Sequence, residues 1–329
     1  PSTTPRPLGR TRIAKVDGTP AVDRGANHLG ADDNVIALDL DGHLRWTTET
    51  GPVRSAPLVT ETVLFVGSAR GLLLALDRAT GSVRWKFVTD GNAGILTAPI
   101  LVGDRIIFEA TDNNVYALTA RNGQLRWKFT RPDGSLGYAS PTADRGAILV
   151  AGESTLYLLD PKTGQSPWKS FVGGKALTGP LVDGDRIIVA ADGRGVNALD
   201  RTDAGVLWNF TGKSPGDWFG QPLLAGGTVY VHTYRRFTYA LDARTGRFKW
   251  SARTAESSVT QPALDARRST LYLTSDAVGD VPTLTALDAA SGRKRWDAAL
   301  GPIVGSPVIV EDRLLVGSTN GFLYAFGLK

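Results

Sequence analysis

One phrase recurs down this chain and constrains what it can fold into: Ala-Leu-Asp-x-x-Thr/Ser-Gly-x-x-x-Trp. It runs from Ala75 to Trp85, from Ala240 to Trp250 and from Ala286 to Trp296. Looser copies end at Trp46, Trp127, Trp168 and Trp208. Successive tryptophans stand 39, 42, 41, 40, 42 and 46 residues apart. Four short apolar runs within each such period are the signature of a propeller of four-stranded blades.

A second landmark counts the blades. A proline follows a small or polar residue once per period, at Pro20, Pro57, Pro99, Pro141, Pro180, Pro222, Pro262 and Pro307, which predicts eight blades. In the second period Arg54–Thr60 reads as the innermost strand, where a proline is tolerated at a strand start. Val63–Ser68, Leu72–Asp77 and Ser82–Phe87 read as the other three. Asp77, Thr80 and Gly81 are turn chemistry: the oxygens accept backbone N–H bonds and the glycine takes positive φ. Trp85 is then expected to lie against the neighbouring blade.

The eighth period stops at Lys329 without a fourth strand. Gly9-Arg10-Thr11-Arg12-Ile13 aligns with Gly81-Ser82-Val83-Arg84-Trp85, which puts Ile13 in the tryptophan slot. Residues 9–16 are therefore expected to complete blade eight and close the ring, removing an exposed edge. The expected fold is all-β: an eight-bladed β-propeller of four-stranded antiparallel blades over residues 9–329, after a Pro/Thr-rich linker over residues 1–8. Trp46, Trp85, Trp127, Trp168, Trp208, Trp250 and Trp296 are assigned to blade docking.

Composition bounds the function classes. The chain has 329 residues, 37 Lys+Arg against 32 Asp+Glu, and neither Cys nor Met. Without Cys there is no disulfide frame, thiolate metal site or Cys nucleophile, and an oxidising compartment is compatible. Positive charge is spread over every repeat instead of gathering on one face, which argues against nucleic acid. Arg45, Arg84, Arg126 and Arg295 each precede a repeat tryptophan and are expected to point to solvent and guard an edge. No apolar run approaches the roughly 18–20 residues that cross a bilayer. The missing initiator Met and the Pro/Thr start read as a chain that begins after a cleavage or domain boundary.

These repeated residues resemble the PQQ-like repeat of eight-bladed propellers, over about residues 9–329. That superfamily includes quinoprotein alcohol dehydrogenases, BamB-type outer-membrane assembly scaffolds and extracytoplasmic sensor domains of bacterial Ser/Thr kinases. The chain departs from the pattern at Thr119, where the Asp would stand, and at Ala204, in the turn glycine position. It departs again at Pro167 before Trp168, and in blade seven around Asp276–Pro282. The enzyme branch implies a calcium site of Glu, Asn and Asp, a catalytic Asp and often a vicinal Cys pair over PQQ. That Cys pair is impossible here, and the short periods leave no room for long substrate-chamber loops. Neither PQQ, calcium nor catalysis is expected.

Other chemistry is sparse. His28, His43 and His232 are the only histidines and show no metal-ligand spacing. No nucleophile elbow of the G-x-S-x-G kind is present. Ala31-Asp32-Asp33-Asn34 and Thr111-Asp112-Asn113-Asn114 lack the glycine and distal Glu of an EF-hand.

A ligand is expected instead in an axial pocket, at positions that break the repeat just ahead of the innermost strands. These are Arg54, Tyr138, Lys175, Trp218 and Phe219. Trp218 is the only tryptophan outside the repeat slot. With Phe219 and Arg54 it would form a cup for a small anionic or planar ligand. Glu109, Asp192, Arg194, His232, Tyr234 and Arg235 are rim candidates. The expected function is a non-catalytic module binding a small polar ligand or peptide. It would be the extracytoplasmic sensor of a membrane-tethered bacterial protein such as a Ser/Thr kinase, with kinase and transmembrane segment upstream. The alternative is a BamB-like envelope scaffold, and a PQQ-dependent dehydrogenase stands third.

Overall fold

The computed structural model describes residues 6–13, 16, 18–23, 25–134, 139–174, 178–212, 219–254, 260–275, 283–303 and 305–328. These residues form eight four-stranded antiparallel sheets, the blades of an all-β propeller. The chain divides into two compact units, residues 21–180 and residues 1–20 with 181–329. The first holds blades one to four, over 21–49, 58–88, 100–130 and 142–171. The second holds blades five to eight, over 181–210, 223–253, 263–299 and 308–327 with 6–12.

Blade two shows why these residues form these strands. Its strands are Leu58–Val59, Val63–Gly67, Leu72–Asp77 and Val83–Val88. The middle two are almost continuously apolar and buried, because both faces are covered. The outermost strand is mostly exposed, so its pattern is mixed. The innermost strand pairs over Leu58–Val59 only, shorter than the expected Arg54–Thr60. Pro57 offers no N–H to a ladder and pairing starts after it.

The tryptophans reach from one blade to the next. In the first unit the indole N–H groups of Trp46, Trp85 and Trp127 donate to the carbonyls of Arg78, Ala120 and Pro161 at 3.1, 3.0 and 2.9 Å. In the second, Trp208 and Trp250 donate to Ala243 and Ala289 at 3.1 and 3.0 Å. Gly81 is demanded twice in this arrangement. It sits at φ +74°, and a Cβ there would stand 2.5 Å from the Trp46 ring. Ala204 holds the equivalent turn position at φ 59°.

The arginine before each tryptophan is a bulge residue. The ladder shifts register after Ala75, so that Trp85 pairs with Ala75 and Val83 with Leu76, leaving Arg84 unpaired. The same shift follows Ala37, Ala117 and Ala286. A bulge re-aims its side chain, and here the guanidinium reaches back onto the repeat turn while Arg84 and Arg126 stay solvent-exposed, as expected. Arg84 reaches Asp77 at 2.7 Å, Arg295 reaches Asp288 at 2.7 Å, and Arg126 reaches Thr119 at 2.6 Å. The guanidinium of Arg84 holds the Asp77 carboxyl down at about 2, and Arg295 does the same for Asp288. Arg45 is the exception: it does not bond its turn, where Asp39 is bonded by His43 instead.

Blade eight is completed by the N-terminal strand. Its order is Arg6–Arg12, Phe322–Gly327, Arg313–Ser318, Val308–Val310. The register corrects the alignment of the chain start. Gly9 pairs with Ala325, Pro7 pairs with Phe326, and Leu8 is the bulge. Gly9, not Ile13, therefore occupies the tryptophan position, and Ile13 bonds Gly321 just past the strand end at 2.8 Å. The alignment took Gly9 for a turn glycine, whereas Gly9 lies inside the strand, paired with Ala325. Pairing begins at Arg6, inside the stretch expected as linker.

Candidate functional site

The positions expected to face a ligand fall into three groups. Tyr138, Lys175 and Trp218 lie outside the described residues. Arg54, Asp192, Arg194, Tyr234 and Arg235 are at or near the surface. Phe219, Glu109 and His232 are 3 %, 0 % and 2 % exposed and belong to the interior.

Phe219 is a core residue, not half of an open cup. It forms an isolated antiparallel bridge with Thr233. Its ring lies 6.3 Å from Tyr239, among Val231, Trp208 and Leu241. An unrepeated aromatic was read as a binding feature, whereas the slot it fills is apolar. Gly220 N–H donates to the His232 carbonyl at 2.7 Å, fixing the same segment to the hairpin.

Glu109 and His232 occupy one equivalent position, the end of the second strand, two residues past the partner of the repeat alanine. Both turn inward, so neither is a rim residue. His232 Nδ1 lies 2.9 Å from Thr238 Oγ1 and 3.4 Å from Thr254 Oγ1. Glu109 is ion-paired to Arg131, and both side chains are fully buried. Burial pushes the Glu109 carboxyl up to about 7, against the pull of the Arg131 guanidinium. Arg131 is itself tied to the Asn113 turn, with Asn113 Nδ2 donating to its carbonyl at 2.7 Å. Sequence reasoning missed Arg131. Its signal was available: the residues four after Trp46, Trp85 and Trp250 are threonines.

What remains accessible is the hairpin tip that follows His232. Tyr234 is 51 % exposed, Arg235 is exposed, and Arg236 takes φ 69° to make the turn. The tip stands on Thr233, whose N–H donates to the Phe237 carbonyl at 2.8 Å. An exposed Tyr-Arg pair on a buried, hydrogen-bonded base suits recognition of another protein, since both residue types concentrate at interface hot spots. In blade five, Asp192 and Arg194 form the corresponding turn, and the Arg194 carbonyl accepts from Asn209 at 2.9 Å.

The acidic turns do not fit a calcium site. Asp33 spends its carboxylate on Arg70 at 2.5 Å, and Asp112 accepts the Tyr116 hydroxyl. Among the described residues no cluster of three or more His, Cys, Asp or Glu could hold a metal ion. No helix among them is long and apolar enough to cross a membrane.

Known proteins place this geometry. The solved structure of BamB from Moraxella catarrhalis superposes with a TM-score of 0.82 at 17% identity, covering 98% of this chain and 100% of that one. The outer membrane protein assembly factor BamB of Moranella endobia is 26% identical over 294 residues, 82% of this chain and 73% of the relative. The serine/threonine-protein kinase AfsK of Streptomyces griseus is 31% identical over 160 residues, 45% of this chain but 20% of the kinase. The family profile described as outer membrane protein assembly factor BamB matches residues 31–144, 133–217 and 152–329. This chain therefore belongs to the BamB family of eight-bladed propellers.

Proposed function

We propose that this chain is a non-catalytic protein-docking scaffold that works outside the cytoplasm, holding partner proteins through exposed hairpin tips. Its membership in the family of an outer membrane protein assembly factor carries the reading. The Tyr234-Arg235 tip supports it, because an exposed aromatic-arginine pair on a rigid base offers area at little ordering cost. This reverses the order expected from sequence, in which a kinase sensor came first. The sensor reading is favoured by the AfsK matches, which span 45% and 59% of this chain but only 20% and 25% of those kinases.

A photo-crosslinking residue at position 234, introduced in the native host, tests the scaffold. The expected result is a discrete protein adduct at Tyr234 and none at Val206, which is exposed on the outer strand of blade five. Arg235→Ala should then weaken the adduct at 234. Crosslinks equal at both positions, or absent from both, would contradict docking through this tip.

A further inference from the structure

One second-strand position pairs with the repeat alanine, or with Leu158 in blade four, and in blades one, two, six and seven its ring packs on the tryptophan of its own blade. In blades two to eight it is Phe65, Ile107, Leu149, Ile188, Tyr230, Tyr272 and Leu315, and in blade one it is His28. The imidazole of His28 sits 5.8 Å from the Trp46 ring, as Phe65 sits 5.8 Å from Trp85. It is 0 % exposed, and neither of its nitrogens has a hydrogen-bond partner among the described residues. Two unsatisfied buried ring nitrogens are costly unless something else meets them.

His28, though closed to solvent, borders a cleft of about 360 Å³ between blades one and two, together with Arg45, Trp46, Glu61, Asp77, Arg78 and Arg84. Three guanidiniums and two carboxylates thus line the cleft, and the Asp23 carboxylate lies 3.9 Å from His28 Nδ1. Arg84 is taken by Asp77, and Arg78 is paired with Asp23 at 2.8 Å. Arg45 forms no ion pair or hydrogen bond among the described residues. The reason is local: the turn of blade one leaves Asp39 to His43, so the bulge arginine has no acid to grip.

We propose that this cleft is a binding site for a small oxyanion, a carboxylate or phosphate group carried by a compact ligand. One oxygen would accept from the His28 ring N–H and the charge would be met by the Arg45 guanidinium, a charge-assisted pair in a half-enclosed site. The groups facing His28 suit a neutral donor. Burial lowers its pKa, Asp23 opposes that, and Arg78 and Arg45 add to it. An anion brought beside the ring would favour protonation, so binding tightens as pH falls.

Calorimetric titration of the folded chain with sodium acetate and with inorganic phosphate tests this, alongside the imidazole NMR signals of the three histidines. The expected result is saturable one-to-one binding of at least one anion, with His28 signals moving and those of His43 and His232 still. Binding of acetate alone assigns a carboxylate ligand, of phosphate alone a phosphate ligand, and of both a shared oxyanion site. Arg45→Ala removes an exposed side chain and should weaken binding about tenfold. His28→Phe, which copies blade two, should weaken it at least as much. Failure of both anions to saturate, or unchanged affinity in both variants, would overturn the proposal.

Discussion

Blades one and three each bury an ionisable side chain on their second strand, and they treat it in opposite ways. Glu109 is met through one carboxylate oxygen by Arg131, which is in turn fastened to the Asn113 turn, while its Oε1 makes no hydrogen bond among the described residues. His28 is equally buried, yet its nitrogens make no hydrogen bond among the described residues, with Asp23 3.9 Å from Nδ1, and it borders an open cleft. The framework around the two is the same. Trp46 and Trp127 both donate across to the next blade, at 3.1 and 2.9 Å, and both rest on a turn glycine. A repeat that carries its own docking contacts can thus change chemistry at one interior position without losing the sheet. A closed polar pair adds to the structure, whereas an open one leaves capacity for a ligand.

The largest effect should be common to both blades. Trp46→Ala and Trp127→Ala should each cost about 3–5 kcal/mol in urea unfolding, since each empties a large buried slot. A markedly smaller loss for Trp46 would break the equivalence of the two frameworks. Next, Arg131→Met should destabilise by about 3 kcal/mol, because Glu109 is left buried without its partner and must hold a proton. Glu109→Leu combined with Arg131→Met should recover most of that loss. If the double variant is as weak as the single, the pair is not closed in the sense argued.

Proton linkage separates the blades more finely. The Glu109 carboxyl rises from 4.5 when unfolded to about 7 when folded. Its contribution is therefore full below pH 4.5 and is lost as pH climbs through about 7. His28 has a folded pKa below its ordinary 6.5. Its contribution is present above pH 6.5 and is lost as pH falls below that value. Glu109→Gln should flatten stability on the rising side, and His28→Phe on the falling side. Matching slopes in both variants would refute the contrast. The smallest effect is His28→Phe at pH 8, within about 1 kcal/mol of the parent, because blade two shows that Phe fits the slot.

The repeat made the architecture readable. Tryptophan spacing and eight prolines gave the number and kind of blades, and the N-terminal strand was correctly joined to the last one. Its register was misplaced by four residues, because Gly9 was aligned with the turn glycine whereas it pairs with Ala325 and takes the tryptophan position. The bulges before the tryptophans explain why Arg84 and Arg295 also bond the turn. Phe219 misled for a different reason. Lack of repetition marks a change of environment, but not whether the new environment is open or filled. His28 and Arg45 were visible as exceptions, but their convergence on one cleft depends on packing between strands far apart in sequence.

The contrast between an open and a closed buried group is tested most directly by following the His28 imidazole and the Glu109 carboxyl through pH by NMR, with and without sodium acetate. The account predicts a His28 pKa below 6.5 that rises when acetate is added, while Glu109 titrates near 7 and does not respond. A His28 that titrates at its ordinary value, or that ignores acetate as Glu109 does, would contradict it.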